Sequence, residues 1–443
     1  MIGPSVRIMQ GDALEKLREL PDETAHCVIT SPPYWGLRDY CKCKCGVKRI
    51  IDTTSFQSGN HQGGPQTNYR EKEPDTNCPI CNGTGIIEGV GDYQLGLEKT
   101  PEEYAQKLVE IFREVRRVLR GDGTVWLNLG DSYAGGGPHH GSENLGKSET
   151  NRGSITGMDK FPPGLKPKDL CMIPARVALA LQADGWYLRS DIIWNKPNPM
   201  PESCRDRPTK SHEYIFLLTK SSRYFFDQEA VREPQSWNGQ SGTKNYRHGL
   251  NARIDAGMNT GGANLLGRNI RSVWTMTTKP YSEAHFATFP PELPERCIKA
   301  GTSLKGCCPK CGAPWARVVE KNRPEGWKDS GPTTEKEKEL RDMSKRIYGG
   351  NQKSRSISDI FDRATKSAIE TVGWQPTCSC GIDDTIPCTV LDIFAGSGTT
   401  GEVARNLGRN SILIELNPEY ITLIEKRTNA AVKALESYED EVV

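Results

Sequence analysis

Two stretches of this 443-residue chain combine residue types that could do chemistry. The first is Thr30-Ser31-Pro32-Pro33-Tyr34-Trp35, which directly follows the apolar run Cys27-Val28-Ile29. Two adjacent prolines fix the backbone and remove two N–H donors, so the segment is neither helix nor continuing strand. It reads as a stiff loop at the carboxyl end of a strand, where open α/β sheets bind ligands. Such a loop can present a hydroxyl, a carbonyl and an aromatic ring together, that is, two hydrogen-bond acceptors beside a stacking surface. Taken alone, a structural Pro-Pro turn with a packed tyrosine is the better explanation, and the rest of the chain has to decide.

The second stretch is Asp392-Ile-Phe394-Ala-Gly396-Ser397-Gly398-Thr399-Thr400-Gly401, a glycine turn between a strand and a helix. The next strand ends at Glu415, with Asn417 just beyond. Glycines let the backbone approach a ligand, a helix N-terminus favours negative charge, and an acid at the following strand end accepts bonds from ribose hydroxyls. These features suit any adenosine-bearing cofactor. A nicotinamide dinucleotide is set aside because only 42 residues follow Gly401, too few for a second mononucleotide half. The sheet is instead expected to be completed by strands that come earlier in the chain.

Cysteines form a third group. Cys43-Lys-Cys45-Gly matches Cys78-Pro-Ile-Cys81, and Cys308-Pro-Lys-Cys311-Gly matches Cys378-Ser-Cys380-Gly. Each set joins one C-x-x-C to one C-x-C, the knuckle pattern that wraps tetrahedral Zn²⁺ with sulfur ligands at about 2.3 Å. Four thiolates leave no open position, so two structural zinc sites are expected. Cys41 and Cys307 compete with neighbours for a ligand place, and an iron–sulfur cluster would use the same ligands.

The elements that must position these groups follow from periodicity and caps. Residues 6–9 read as a strand, 12–20 as a helix and 25–30 as a strand, with Gly11-Asp12 placing an acid at a second strand end. Thr100, Pro101 and Glu103 open a helix as N-cap, first and third positions. Tyr104, Leu108, Ile111, Phe112, Val115 and Leu119 repeat along one face of it until Gly121. A strand at 124–129 ends at Gly130-Asp131, which lines a cleft or caps the next segment. A helix at 173–184 precedes apolar strands at 186–194 and 213–218, and Trp194-Asn195-Lys196-Pro197-Asn198 sits at a strand end near the expected site. The last strand–helix–strand unit starts at 389, with a closing helix from 418 to about 436.

With 58 Lys and Arg against 56 Asp and Glu, the whole molecule is no polycation, so any nucleic-acid site must be local. Residues 196–279 carry thirteen Lys and Arg against seven Asp and Glu. A mean hydropathy of −0.61, with no 18-residue apolar run and no signal peptide, points to a cytosolic protein without a membrane partner.

Together the blocks "TSPPYW", "IIWNKPNPMPESCRDRPTKSHEYIFLLTKSSRYFFD", "FATFPPELPERCIKAG", "VLDIFAGSGTTG" and "IELNPEY", in that order, resemble the β-class amino-methyltransferases of DNA. The resemblance implies an α/β, Rossmann-like, seven-stranded sheet in circularly permuted order, its last two strands the 186–194 and 213–218 hairpin, with the zinc knuckles as insertions. It implies S-adenosylmethionine as cofactor: Phe394, Gly396 and Gly398 at its methionine end, Glu415 at its ribose and Asp12 at its adenine. Asp392, Ser397, Thr399, Thr400 and Asn417 are grouped with them. The same resemblance makes Ser31, Pro32, Pro33 and Tyr34 the catalytic loop, acting on a base turned out of duplex DNA, with Tyr34 and Trp35 as stacking surfaces.

A serine at the head of that loop goes with cytosine N4 in this family, an aspartate with adenine N6. N4-methylation is therefore expected and N6-methylation is the alternative. A zinc-ribbon nucleic-acid-binding protein with a dead core is the alternative from another class. No cysteine stands directly after Pro32-Pro33, which argues against carbon-5 chemistry. Arg205, Arg207 and Lys210 are expected near DNA, with base contacts from loops at 135–165 and 232–272. A cognate restriction endonuclease in a bacterial, archaeal or phage-encoded setting would be the partner.

The expected domain plan places the start of the core at 1–40, a cysteine-rich insertion at 41–91 and the rest of the catalytic half at 92–227, with a loop at 134–165. A recognition region follows at 228–285, then a linker with the second zinc module at 286–388 and the cofactor unit at 389–443.

Overall fold

Six consecutive buried residues make strand β2 (Ala25–Thr30), the pattern of a strand covered on both faces. In the computed structural model, which describes residues 4–36, 94–134, 164–202, 204–233, 268–278, 289–321 and 369–429, it lies mid-sheet. Strand β9 (Thr389–Asp392) pairs parallel on one side of it and β3 (Leu119–Leu129) parallel on the other. Beyond β9 come β10 (Asn410–Glu415) and β1 (Val6–Gln10), both parallel. Beyond β3 come β5 (His212–Thr219) and β4 (Tyr187–Asn195), an antiparallel pair, and then β6 (Val273–Thr275). The last two strands of the chain's sheet thus lie between its first and second.

Among the described residues eight strands, not the expected seven, make this sheet. The addition is β6, only three residues long, and too short to show a period in sequence. Its Trp274 is buried at 2 % exposure, with its ring 6.1 Å from that of Trp126, so one indole anchors the short edge strand.

Helices α1 (Ala13–Arg18), α2 (Pro101–Val118) and α3 (Ile173–Ala183) share one hydrophobic cluster with the sheet. The Thr100 hydroxyl accepts from Glu103 N at 3.1 Å, and the Glu103 carboxylate accepts from Lys99 N at 3.0 Å, so the start of α2 is capped as its sequence indicates. Helices α4 (Glu292–Gly301), α5 (Thr399–Asn406) and α6 (Pro418–Thr428) complete the core. Along β10, Ile412 and Ile414 join the α1–α3 cluster while Leu413 joins Ile421 and Ile424 of α6, the alternation of a strand between two helical layers. Helix α6 ends at Asn429 in the left-handed region (φ 49°); the expected continuation toward 436 lies outside the described residues.

The chain divides into two compact units, the sheet-bearing one comprising Met1–Asp227, Arg271–Pro314 and Cys378–Val443. The segment expected as a 286–388 linker is therefore split, and α4 is part of the core. The second unit, Gln228–Ile270 with Trp315–Thr377, contains the antiparallel pair β7 (Trp315–Lys321) and β8 (Ile369–Pro376). There the Arg317 guanidinium lies 4.5 Å from the Trp374 ring. Among the described residues no helix is long and apolar enough to cross a membrane. Cys43, Cys45, Cys78 and Cys81 lie outside the described residues, as does most of the 135–165 and 232–272 loops.

Candidate active site

Parallel pairing brings four strand ends to one edge of the sheet. Gln10 lies opposite Glu415 and Leu413 opposite Asp392, while β2 runs alongside β9. Gly11 N donates to Glu415 O at 3.0 Å, which places Asp12 beside Glu415. Asp12 caps α1, accepting from Glu15 N at 3.0 Å through one carboxylate oxygen. Both acids expected at an adenosine are therefore neighbours, although 403 residues separate them.

Beyond Asp392 the backbone turns through Gly396 (φ 53°) and Gly398 (φ 81°), conformations that glycine adopts without strain. Of the turn, Phe394 and Gly396 are half-exposed, whereas Ser397, Gly398, Thr399 and Thr400 are buried. Glu415 Oε2 accepts from Gly396 N at 2.8 Å and Oε1 from Asn417 N at 2.9 Å. Burial pushes the Glu415 carboxyl up to about 7. A bare glycine backbone at the start of α5, flanked by two carboxylates at adjacent strand ends, fits an adenosine-bearing group.

Not every residue grouped with the cofactor faces it. Asp392 is 1 % exposed and accepts from Thr30 Oγ1 at 2.8 Å, Thr400 Oγ1 at 2.6 Å and Phe394 N at 3.2 Å. Ser397 and Thr399 both accept from Arg427 Nη1 at 2.9 Å, and Asn417 caps α6 through Glu419 N. These side chains brace the turn from behind. Arg427, which also pairs with Glu402, escaped the sequence analysis because it lies on a helix with no motif of its own.

The Ser31–Tyr34 loop, expected to be catalytic, lies at the neighbouring strand end. Tyr104 Oη on α2 donates to Pro33 O at 2.9 Å, while no described residue bonds the Pro32 carbonyl. Ser31 is half-exposed. The Tyr34 ring lies over Gly130 at the end of β3, where a Cβ would come within 2.4 Å of Tyr34 Cε2. Its hydroxyl reaches inward to Glu213 Oε2 at 2.7 Å and Asn128 Oδ1 at 3.1 Å. Burial and the nearby Glu213 charge push the Tyr34 phenol up, so it stays protonated.

Trp35 overturns one expectation. It is 5 % exposed, packed in the core, and donates to Glu98 O at 2.9 Å, so it is a structural anchor and offers no stacking surface. Of the two adjacent aromatic residues, Tyr34 is half-buried over the end of β3 and Trp35 is fully interior.

The basic residues also divide. Lys210 Nζ donates to Asp131 O at 2.8 Å and burial lowers its pKa; Arg207 pairs with Glu202 and stacks 3.8 Å from the Tyr133 ring centre. Arg205 is exposed. Asp131 caps α3 from outside that helix, accepting from Ile173 N at 3.0 Å.

Residues 25–307 and 388–426 match the family of N6/N4 DNA methylases, described as DNA methylase. The chain belongs to that family. The methylase is 34 % identical over 424 residues to Type II methyltransferase M.SmaI of Serratia marcescens, covering 96 % of this chain and 90 % of that protein. It is 42 % identical over 295 residues to Type II methyltransferase M.XycI of Xanthomonas campestris pv. cyanopsidis, covering 67 % and 72 %. Among solved structures, PvuII DNA methyltransferase (cytosine-N4-specific) aligns at 15 % identity with a TM-score of 0.45, over 98 % of this chain and 92 % of that one. Membership makes the protein an S-adenosylmethionine-dependent amino-methyltransferase of DNA.

The family match omits residues 308–387, and there the methylase carries a cysteine tetrad. The sulfurs of Cys308, Cys311, Cys378 and Cys380 all lie within 4.8 Å of one another, a set that could hold a tetrahedral metal. Gly312 (φ 68°) and Gly381 (φ 67°), each following a second cysteine, turn the two knuckles. Backbone N–H groups of Cys311 and Lys310 draw the Cys308 thiol down to about 7.

Cys307, the rival for a ligand place, turns away to Ile386 O at 3.5 Å, near Cys388 and His26. His26 accepts from Thr389 N at 3.1 Å through Nδ1, so Nε2 donates to Gly312 O at 2.8 Å. Both ring nitrogens are occupied, and the buried His26–Cys307–Cys388 group is no metal site. Through His26 and through Arg120, which donates to Cys311 O at 2.6 Å, the knuckle is fastened to β2 and β3.

Proposed function

We propose that this methylase transfers a methyl group to the exocyclic N4 of cytosine, in a base turned out of duplex DNA, as the modification half of a restriction–modification pair in the cytoplasm. The observation that carries the proposal is the Ser31-Pro-Pro-Tyr34 loop, held one strand away from the glycine turn. The position of that turn, last in sequence but central in the sheet, supports the permuted order of the β class.

When bound, S-adenosylmethionine supplies an electrophilic methyl. Asp12 and Glu415 would hold its adenosine, while Phe394 and the Gly396 backbone would face its methionine end. An exocyclic amine is a poor nucleophile because its lone pair is delocalised into the ring. Acceptors on its hydrogens favour the pyramidal form, and the Ser31 hydroxyl and Pro32 carbonyl are such acceptors. The two prolines and the Tyr104 bond to Pro33 keep that carbonyl from turning, which contributes through orientation. The half-buried Tyr34 would stack the base, and the exposed Arg205 would contact a phosphate. Structural zinc in the cysteine tetrad, and in a second set at Cys43, Cys45, Cys78 and Cys81, staples segments poor in apolar residues.

Nucleoside mass spectrometry tests the reading. The purified enzyme is incubated with mixed-sequence duplex DNA and deuteriomethyl S-adenosylmethionine, with Ser31→Ala alongside. Labelled N4-methylcytosine, strongly reduced but measurable in the variant, is the expected result. Labelled N6-methyladenine would move the target to adenine, and absence of label on DNA would overturn the proposal.

A further inference from the structure

A serine hydroxyl has one proton and two lone pairs, and only the lone pairs can accept from an amine. The direction of the Ser31 proton therefore decides whether the residue helps or obstructs. Ser31 Oγ lies 3.3 Å from Tyr34 Oη, and Tyr34 Oη lies 2.7 Å from Glu213 Oε2. Glu213 Oε2 also accepts from Asn128 Nδ2 at 3.1 Å, and Oε1 pairs with Lys196. Asn128 Nδ2 donates in addition to Tyr214 O at 3.1 Å, which fixes the amide.

Two groups face the phenol, the Glu213 carboxylate at 2.7 Å and Asn128 Oδ1 at 3.1 Å, and both can only accept. The phenol therefore donates inward, to the nearer and charged Glu213. Having spent its single proton, Tyr34 can only accept from Ser31. The serine proton is thereby drawn inward, away from the half-exposed side of the loop, and its remaining lone pair is left for the substrate. Strand β5 supplies Glu213, β3 supplies Asn128, and Lys196 follows β4, so three strands set the direction of one hydroxyl.

We propose that Glu213 is a positioning residue: through Tyr34 it orients the Ser31 hydroxyl so that its lone pair meets the amine being methylated. This rests on the role given to Ser31 above. No proton leaves the chain in this proposal, since orientation alone favours the reactive form of the amine.

The test is a double-mutant cycle on the full-length enzyme. Glu213→Gln and Tyr34→Phe are each made with Ser31 intact and with Ser31→Ala, and single-turnover methyl transfer to duplex DNA is measured. Calorimetric Kd for S-adenosylmethionine and thermal melting are recorded for each. With Ser31 intact, each change is expected to lower the transfer rate by about tenfold or more, with Kd changed less than about twofold. In the Ser31→Ala background, neither is expected to cost more than about twofold further.

Equal losses in both backgrounds, or an unchanged rate with Ser31 intact, would overturn the proposal. Glu213→Gln leaves Lys196 without its partner; if it unfolds the protein, Tyr34→Phe decides, because it preserves that ion pair. Absence of transfer by the unaltered enzyme would refute the proposed function together with this inference. Transfer with additive losses would refute this inference alone.

Discussion

Thr30 and Asp392, the last residues of β2 and β9, are joined by a 2.8 Å hydrogen bond from the threonine hydroxyl to the aspartate carboxylate, both side chains buried. One residue beyond Thr30 begins the Ser31–Tyr34 loop, and one beyond Asp392 begins the glycine turn. The same carboxylate holds Thr400 at the start of α5. A single buried acid thus fixes the spacing between the two halves of the site, which matters because misplacement by about 1 Å can cost about a hundredfold in rate.

Thr30→Val keeps the shape of the side chain but deletes this donor. It should cost about 1–2 kcal/mol of stability by leaving the carboxylate short of a partner. It should also lower kcat/KM while leaving the secondary structure intact. Thermal melting and single-turnover kinetics check both; unchanged values would show that strand pairing alone sets the spacing.

Glu415 makes two pH dependences run in opposite directions. Its carboxyl titrates at about 7 in the folded protein against 4.5 ordinarily, so the folded state holds the proton more tightly. Stability should therefore fall as pH rises from about 4.5 through about 7, and level off above. Asp392, pushed up to about 6 by burial, adds a second group of the same sign. Cofactor affinity should instead increase through about 7, because the ionised carboxylate accepts ribose hydroxyls better. Calorimetry at about pH 6 and about pH 8 measures this, and Glu415→Gln should flatten the slope.

Cys308→Ser should reduce bound zinc by one equivalent per chain, measured by elemental analysis, and lower the melting temperature. His26→Ala should lower the melting temperature while leaving the zinc content unchanged, because His26 fastens the knuckle without ligating. Loss of zinc from His26→Ala would place that imidazole among the ligands.

Trp35→Ala should cost about 3–5 kcal/mol as a core truncation. Trp35→Phe, which keeps most of the packing, should leave DNA affinity within about twofold. Arg205→Ala should do the reverse, with an unchanged melting temperature, weaker DNA binding, and a salt slope shallower by about one counterion. Fluorescence anisotropy across a salt series distinguishes the two.

Much of this was legible because it is local. The Thr100–Glu103 cap and the apolar stripe behind it specify α2, and the glycine turn between two apolar runs specifies the β9–α5–β10 unit. The 187–195 and 212–219 strands declared themselves by hydrophobicity. The facing of side chains within motifs was less legible. Ser397, Thr399 and Thr400 look like ligand contacts in a glycine-rich turn, yet Arg427 and Asp392 draw their hydroxyls inward. Cys307 and Cys308 are equivalent as text, and only the pairing of Cys307 with Ile386 shows which one turns to the tetrad.

The sequence by itself determined the chemistry the chain can attempt: an acceptor-bearing, proline-stiffened loop, a glycine turn and paired-cysteine knuckles, each made of residues near one another in the chain. Tertiary structure alone decided how those parts meet. Tyr34 meets Glu213, Thr30 meets Asp392, and Asp12 stands beside Glu415, across separations of 179 residues or more. Hydrogen-bond direction and burial are properties of the assembled sheet, because each depends on what the neighbouring strands bring to the same point.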